Sequence, residues 1–182
     1  MRSPSETSET GRPLPSRPSL SRLAMLLALG IVLYLVEGLF FGPLPVPGAK
    51  LGLANIVTLL ALLAYGWRWA FLLAVLRVTL GSLLSGAFFS LGFMLALSGA
   101  TAATLVMAGG RRLAGERLSP VGVSVLGALS HNLAQLAVFA LWARHAGVFY
   151  YLPPLLLLAV PTGLLTGLAG AYLWQRWPEL DR

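Results

Sequence analysis

The sequence predicts an all-α integral membrane protein, a bundle of six transmembrane helices, on three observations. Of 182 residues, 57% are hydrophobic and only 10% are charged, against roughly a quarter charged in an ordinary soluble domain. Apolar runs close to the ~20 residues that cross a ~30 Å hydrocarbon core recur along nearly the whole chain. The basic excess, a formal net charge of +7, is dispersed instead of gathered into one patch. That distribution fits a topology signal and argues against a nucleic-acid surface. Cysteine is absent, which excludes disulfides, thiolate nucleophiles and Cys-containing metal sites.

Residues 1–22, rich in Ser, Thr, Pro, Arg and Glu, have no hydrophobic period and are expected to form a disordered cytoplasmic tail. The next run, Leu23 to Phe41, is longer than the roughly 7–15 apolar residues of a signal peptide. Pro43, Pro45 and Pro47 crowd the place where cleavage would fall, so a retained first span at 23–41 is expected. A second, short span at 51–66 lies between glycine turns and is expected to cross only in part or with little tilt. Gly86 and Ala87 alone divide the third span, 69–86, from the fourth, 88–108. The fifth and sixth follow at 121–143 and 149–174. The transmembrane domain is taken as 23–176, with 177–182 as a short cytoplasmic tail.

Cytoplasmic loops accumulate Lys and Arg. With six spans, one side collects Arg2, Arg12, Arg17, Arg22, Arg68, Arg111, Arg112, Arg117, Arg176 and Arg182, and the other only Lys50 and Arg144. Both termini are therefore expected in the cytoplasm, with the protein in the cell membrane. Trp and Tyr favour the interfaces, and Trp67, Trp69, Trp174 and Trp177 fall at the cytoplasmic ends, with Trp142, Tyr150 and Tyr151 at the outer ends. Only Tyr34 lies well inside a span.

Ionisable groups at membrane depth are costly and mark functional sites by default. Glu37, Lys50, Arg77 and His131 are such groups, and the amides Asn55, Asn132 and Gln135 join them. Counting about 1.5 Å per residue, Arg77 lies ~13 Å from the cytoplasmic end of its span, and His131 is similarly central. Glu37 and Asn55 are each placed about one turn from the outer ends of spans 1 and 2. The set describes a pocket open to the outside better than a channel. His131 and Gln135, at i and i+4, share a helix face with Ser124, while Asn132 turns away. The stripes Arg77–Gly81–Ser85 and Gly163–Gly167, the latter flanked by Thr162 and Thr166, let neighbouring helices approach closely. Structural roles stand beside these: Arg77 paired with Glu37 to lock spans 1 and 3, and His131, Asn55, Asn132 and Gln135 as interhelical hydrogen-bond partners. The stiff loop with Pro43, Pro45 and Pro47, leading into Lys50, is either a lid over the pocket or a tight connection.

A P-loop is absent, because Lys50, the single lysine, is followed by Leu51. The two histidines, His131 and His145, form no zinc-protease motif, and no nucleophile sits in a recognisable triad. No cofactor or metal is expected, and the pattern speaks against an enzyme.

Three stretches carry a resemblance: Pro47-Gly48-Ala49-Lys50-Leu51-Gly52-Leu53-Ala54-Asn55, Arg77-Val78-Thr79-Leu80-Gly81-Ser82, and Ser130-His131-Asn132-Leu133-Ala134-Gln135. With Tyr150-Tyr151-Leu152-Pro153 and Pro161-Thr162-Gly163, the chain resembles the Gx transporter family over about residues 25–172. That family is also catalogued as heptaprenyl diphosphate synthase component I. It is similar to the six-helix S components of energy-coupling-factor transporters, whose first outer loop covers an outward-facing site. The resemblance thus implies an S-component-like bundle, with an ATPase and a transmembrane coupling subunit as partners; Ala24 and Ala28 fit the Ala-x3-Ala patch that meets the coupling subunit. The synthase name implies instead a soluble prenyltransferase partner. Prenyltransferases hold magnesium diphosphate on two Asp-rich motifs, and this chain has one aspartate, Asp181, so a catalytic role does not follow. The expected function is binding and uptake of a small, anionic solute through Glu37, Lys50, Asn55, Arg77, His131, Asn132, Gln135 and Thr162. The alternatives are a noncatalytic membrane component of polyprenyl diphosphate synthesis and a membrane scaffold.

Overall fold

The structure is a computed structural model that describes residues 18–41 and 52–180. The proline-rich loop, Lys50, most of the N-terminal tail and Asp181 lie outside the described residues. Among those described, six α-helices follow one another: α1 Leu20–Phe41, α2 Asn55–Tyr65, α3 Trp67–Leu84, α4 Leu91–Ala114, α5 Pro120–Ala143 and α6 Leu152–Leu180. Five are long and apolar enough to cross a membrane. The protein is a multi-pass helical bundle of membrane type.

The helix boundaries follow local chemistry. Ser90 caps α4, its hydroxyl accepting from the Phe93 N–H at 3.2 Å, so α4 starts three residues later than the apolar run suggests. Ser119 does the same for α5 through Gly122 at 3.1 Å, with Pro120 at the first helical position, where its missing N–H costs nothing. A 3₁₀ segment, Ala146–Tyr151, links α5 to α6. Helix α6 continues through Trp177 to Leu180, into the stretch expected as a tail. Trp177 packs edge-on against Tyr65, with ring centroids 6.1 Å apart, and that contact holds the last turns against the bundle. At the other end of the chain α1 begins at Leu20, so the last residues of the expected N-terminal tail are helical.

Helix α2 departs most from the expected 51–66. It has 11 residues, about 16 Å of rise, or half the hydrocarbon core. It is apolar on every side, with Val57 through Leu62 all buried, as a helix enclosed by others must be. Each of the other five helices lies against it. A helix that begins inside protein need not reach both membrane faces, because its lead-in backbone meets protein instead of lipid.

The seam between α5 and α6 is built on small residues. A Cβ added at Gly163 would meet the Val125 Cα at 2.8 Å, and one at Gly167 the Val121 Cα at 2.8 Å, so the two backbones touch. The Ser124 and Thr166 hydroxyls bond across the seam at 2.9 Å. One apolar cluster joins the start of α1 (Leu23, Leu26), the end of α2 (Leu62, Tyr65), the start of α3 (Ala70, Leu73), Met107, Val123 and Trp177. Arg22, Arg68, Arg111, Arg112, Arg117 and Arg176 are therefore gathered at that end of the bundle, and Arg144 at the other. Arg68 lies over Trp67 and Arg176 over Tyr172, 5.7 Å and 4.6 Å from the ring centroids, as cations at an interface do.

Candidate functional site

Helices α2 and α3 form a hairpin about Gly66, which adopts φ +85°. Residues equidistant from the pivot are level with each other. Asn55 and Arg77 each lie eleven positions from Gly66, and the Arg77 Nη2 reaches the Asn55 Oδ1 at 3.5 Å. Asn55 opens α2 at the depth of Arg77, deeper than the outer position expected for it. Glu37 on α1 and His131, midway along α5, complete the centre. A cavity of ≈ 20 Å³ is bounded by Tyr34, Glu37, Gly52, Asn55, Arg77 and His131, with Ala54, Val78 and Ala96. That volume admits one water molecule.

Each side chain has a local reason for its place. Gly30 leaves room on α1 for the Arg77 stem, since a Cβ there would lie 3.1 Å from Arg77 Cδ. Gly99 on α4 does the same for His131, where a Cβ would lie 2.7 Å from Nε2. The Tyr34 hydroxyl is fixed by Ser82 at 3.0 Å, orienting its ring along the cavity wall.

The electrostatics turn on Glu37 and Arg77, 2% and 3% exposed. They are not joined side chain to side chain by a hydrogen bond. The Glu37 carboxylate Oε1 accepts from the backbone N–H of Gly52 and from that of Leu53, the latter at 3.2 Å. These are amides of the irregular turn before α2, which at membrane depth has no water to turn to. Arg77 lies within electrostatic reach of Glu37, but its Nε and Nη1 have no hydrogen-bond partner. Buried polar groups are nearly always satisfied, so an exception marks a missing water or ligand.

The remaining expected site residues divide. Gln135 is 3% exposed and both its amide atoms lack a partner; it sits one turn from His131, about 6 Å along α5, away from the cavity walls. Asn132 instead donates to the Leu155 carbonyl of α6 at 3.0 Å. The Thr162 hydroxyl donates to the carbonyls of Leu158 and Ala159 at 2.9 and 3.1 Å, within its own helix. Lys50 is outside the described residues. Tyr34 and the amides of Gly52 and Leu53 went unnamed in the sequence reading of the site. Tyr34 had a signal, being the one tyrosine or tryptophan well inside a span; the amides had none. Among the described residues no three His, Asp or Glu side chains come together in a metal cage.

The comparisons with known proteins bear on the whole chain. The family profile described as heptaprenyl diphosphate synthase component I matches residues 26–173. The chain belongs to that family. The matched stretch contains α2 to α5 entire, most of α1 and α6, and every residue of the buried polar centre. No curated protein and no solved structure matches the chain.

Proposed function

We propose that this heptaprenyl diphosphate synthase component I family member is a membrane substrate-binding protein for a small solute with an anionic group, acting in uptake. Arg77 carries this reading: a buried guanidinium on a cavity wall with two nitrogens unpartnered. Leaving buried donors unmet costs on the order of 1–3 kcal/mol each, more for charged groups. A ligand that comes and goes accounts for capacity left open in this way. The Glu37 oxygen is engaged by the backbone, so what the centre offers a solute is mainly donors, which favours anions and carbonyl-rich molecules. Broken or half-length helices with an N-terminus at mid-depth recur in transporters for the same reason. Asn55 and His131 add directional hydrogen bonds, with Gln135 one turn further along α5, and Lys50 is kept as a second cation on the sequence reading alone. Asn132 serves the contact between α5 and α6, and the Thr162 hydroxyl is taken up within its own helix. The small cavity describes a closed site, which a solute must open.

By the positive-inside rule the Arg-rich end faces the cytoplasm, with both termini there. Lacking a P-loop, the chain needs a separate ATPase and coupling subunit for ATP-driven uptake, as S components have; the other arrangement is a solitary rocking carrier. Native mass spectrometry of protein extracted in mild detergent tests the reading. Wild type is expected to retain a small molecule that Arg77→Gln loses while folding normally. Retention by Arg77→Gln, or wild type bare under every growth condition, sinks it.

The family description favours a second reading, a noncatalytic membrane component beside a soluble prenyltransferase. The Arg-rich end presents a cavity of ≈ 420 Å³ between Leu63, Arg111, Leu118 and Trp174, on the side where such an enzyme would dock. That reading expects copurification of a prenyltransferase whose product length changes when the membrane component is removed. A scaffold would give protein partners, no solute and no dependence on Arg77.

A further inference from the structure

Resting on the solute-binding reading above, we propose that the turn before α2 is a carboxylate cradle with two alternative occupants. One is Glu37, when the site is empty. The other is the carboxylate of the solute, which displaces it. The substrate class is then a small carboxylic acid, and Glu37 is a built-in competitor that sets its affinity.

Two consecutive backbone N–H groups, Gly52 and Leu53, converge on a single carboxylate oxygen of Glu37. Successive amides of this kind form a concave anion site, and φ +70° at Gly52 is the left-handed conformation that turns them to one side. Directly behind them the Gly52 and Leu53 carbonyls accept from Asn55 and Ile56 at 2.8 and 3.1 Å, opening an eleven-residue helix with its positive end toward the same point. A helix start alone would prove little. The independent observation is Arg77, 97% removed from solvent, lining the same cavity with Nε and Nη1 unpartnered. The cradle and the guanidinium together hold more donors than one Glu37 oxygen uses.

The built-in occupant defines the chemistry. The site already holds a planar carboxylate, and a solute carboxylate placed there inherits both amide bonds and takes up Arg77 as well. Two amides for one oxygen and a guanidinium nitrogen pair for the other match the two oxygens of a carboxylate, while a phosphate brings further oxygens to be met. The self-occupied state also explains how irregular backbone survives at membrane depth while no solute is bound, since bare amides there cost several kilocalories. Because Glu37 is tethered, it competes at high effective concentration.

Chemical rescue tests this. Detergent-purified Glu37→Ala is unfolded by heat in sodium acetate, sodium phosphate and sodium chloride at matched ionic strength. Acetate is expected to raise its Tm by about 2–4 °C over chloride, and to leave wild type and Glu37→Ala/Arg77→Gln unmoved. A rise with phosphate and none with acetate overturns the carboxylate assignment; no rise with either overturns the cradle. Glu37→Ser, which also vacates the cradle, carries the same measurement where the alanine variant unfolds. Where neither folds unaided, extraction in acetate is the test: monodisperse protein recovered in acetate and not in chloride supports the cradle, and none recovered overturns it. A negative acetate result leaves the Arg77-dependent solute in place. An Arg77→Gln protein that keeps its solute removes the solute reading whatever acetate does.

Discussion

The α5–α6 seam and the centre between α1, α2, α3 and α5 are made of similar polar residues, yet their hydrogen bonding is opposite. In the seam every side chain is engaged: Ser124 with Thr166, Asn132 with the Leu155 carbonyl, Thr162 with its own helix. In the centre, Arg77 of α3 keeps two nitrogens unbonded; Gln135 of α5, one turn beyond the cavity walls, keeps both amide atoms so. Polarity inside a membrane therefore does not by itself mark a site. Residual hydrogen-bonding capacity is what distinguishes the proposed site, because satisfied groups act as glue while unsatisfied ones call for a water or a ligand.

The largest expected effect strikes the centre. Glu37→Ala strips two turn amides of their acceptor and Arg77 of its neighbouring charge, and a loss of about 3–5 kcal/mol is expected. Reversible unfolding in mixed micelles measures it; a loss under half a kilocalorie would mean the turn is satisfied without Glu37.

Gly167→Leu should strike the seam almost as hard, by about 1–3 kcal/mol through overpacking, because its Cβ would lie 2.8 Å from the Val121 backbone. Gly38→Leu in α1, where an added Cβ meets nothing within 4 Å, is the matched control and should hold or slightly raise the melting temperature, since a helical glycine gives way to a better helix former.

The sharpest contrast is between neighbours on α5. Asn132→Leu breaks a made bond and should lower stability by about 1 kcal/mol, with solute retention unaltered. Gln135→Leu removes two unbonded polar atoms and should raise stability by about 1 kcal/mol while weakening retention. The same sign for both in thermal melts would erase the distinction drawn between the regions. Smallest is the Ser124–Thr166 coupling, expected near 0.6 kcal/mol in a double-mutant cycle of Ser124→Ala and Thr166→Val.

Much of this was legible in the chain. Apolar runs placed the five long helices, with the ends of α4 and α6 each six residues beyond those expected, since lipid requires length and composition that leave little ambiguity. The polar outliers named Glu37, Asn55, Arg77 and His131, which the fold does bring around one cavity. The glycine stripe of α6 was readable as packing, and it packs. Other features were not readable. Which of Asn132 and Gln135 is glue depends on whether a carbonyl of another helix lies opposite, and Leu155 is 23 residues away from Asn132. Nor does hydropathy distinguish a half-length helix from a full one when both are apolar.

The sequence by itself determined that the chain lives in a bilayer, where its helices lie, which ends carry the arginines and which side chains are out of place in lipid. These are properties of single residues and short runs set against a fixed solvent. Only the tertiary structure decided that α2 is enclosed on all sides, that its first turn stops level with Arg77, and that Glu37 bonds backbone amides instead of the arginine. Those outcomes depend on which groups meet after five helices close around a sixth. Hydrogen-bond satisfaction is a property of that closure, and no single residue carries it.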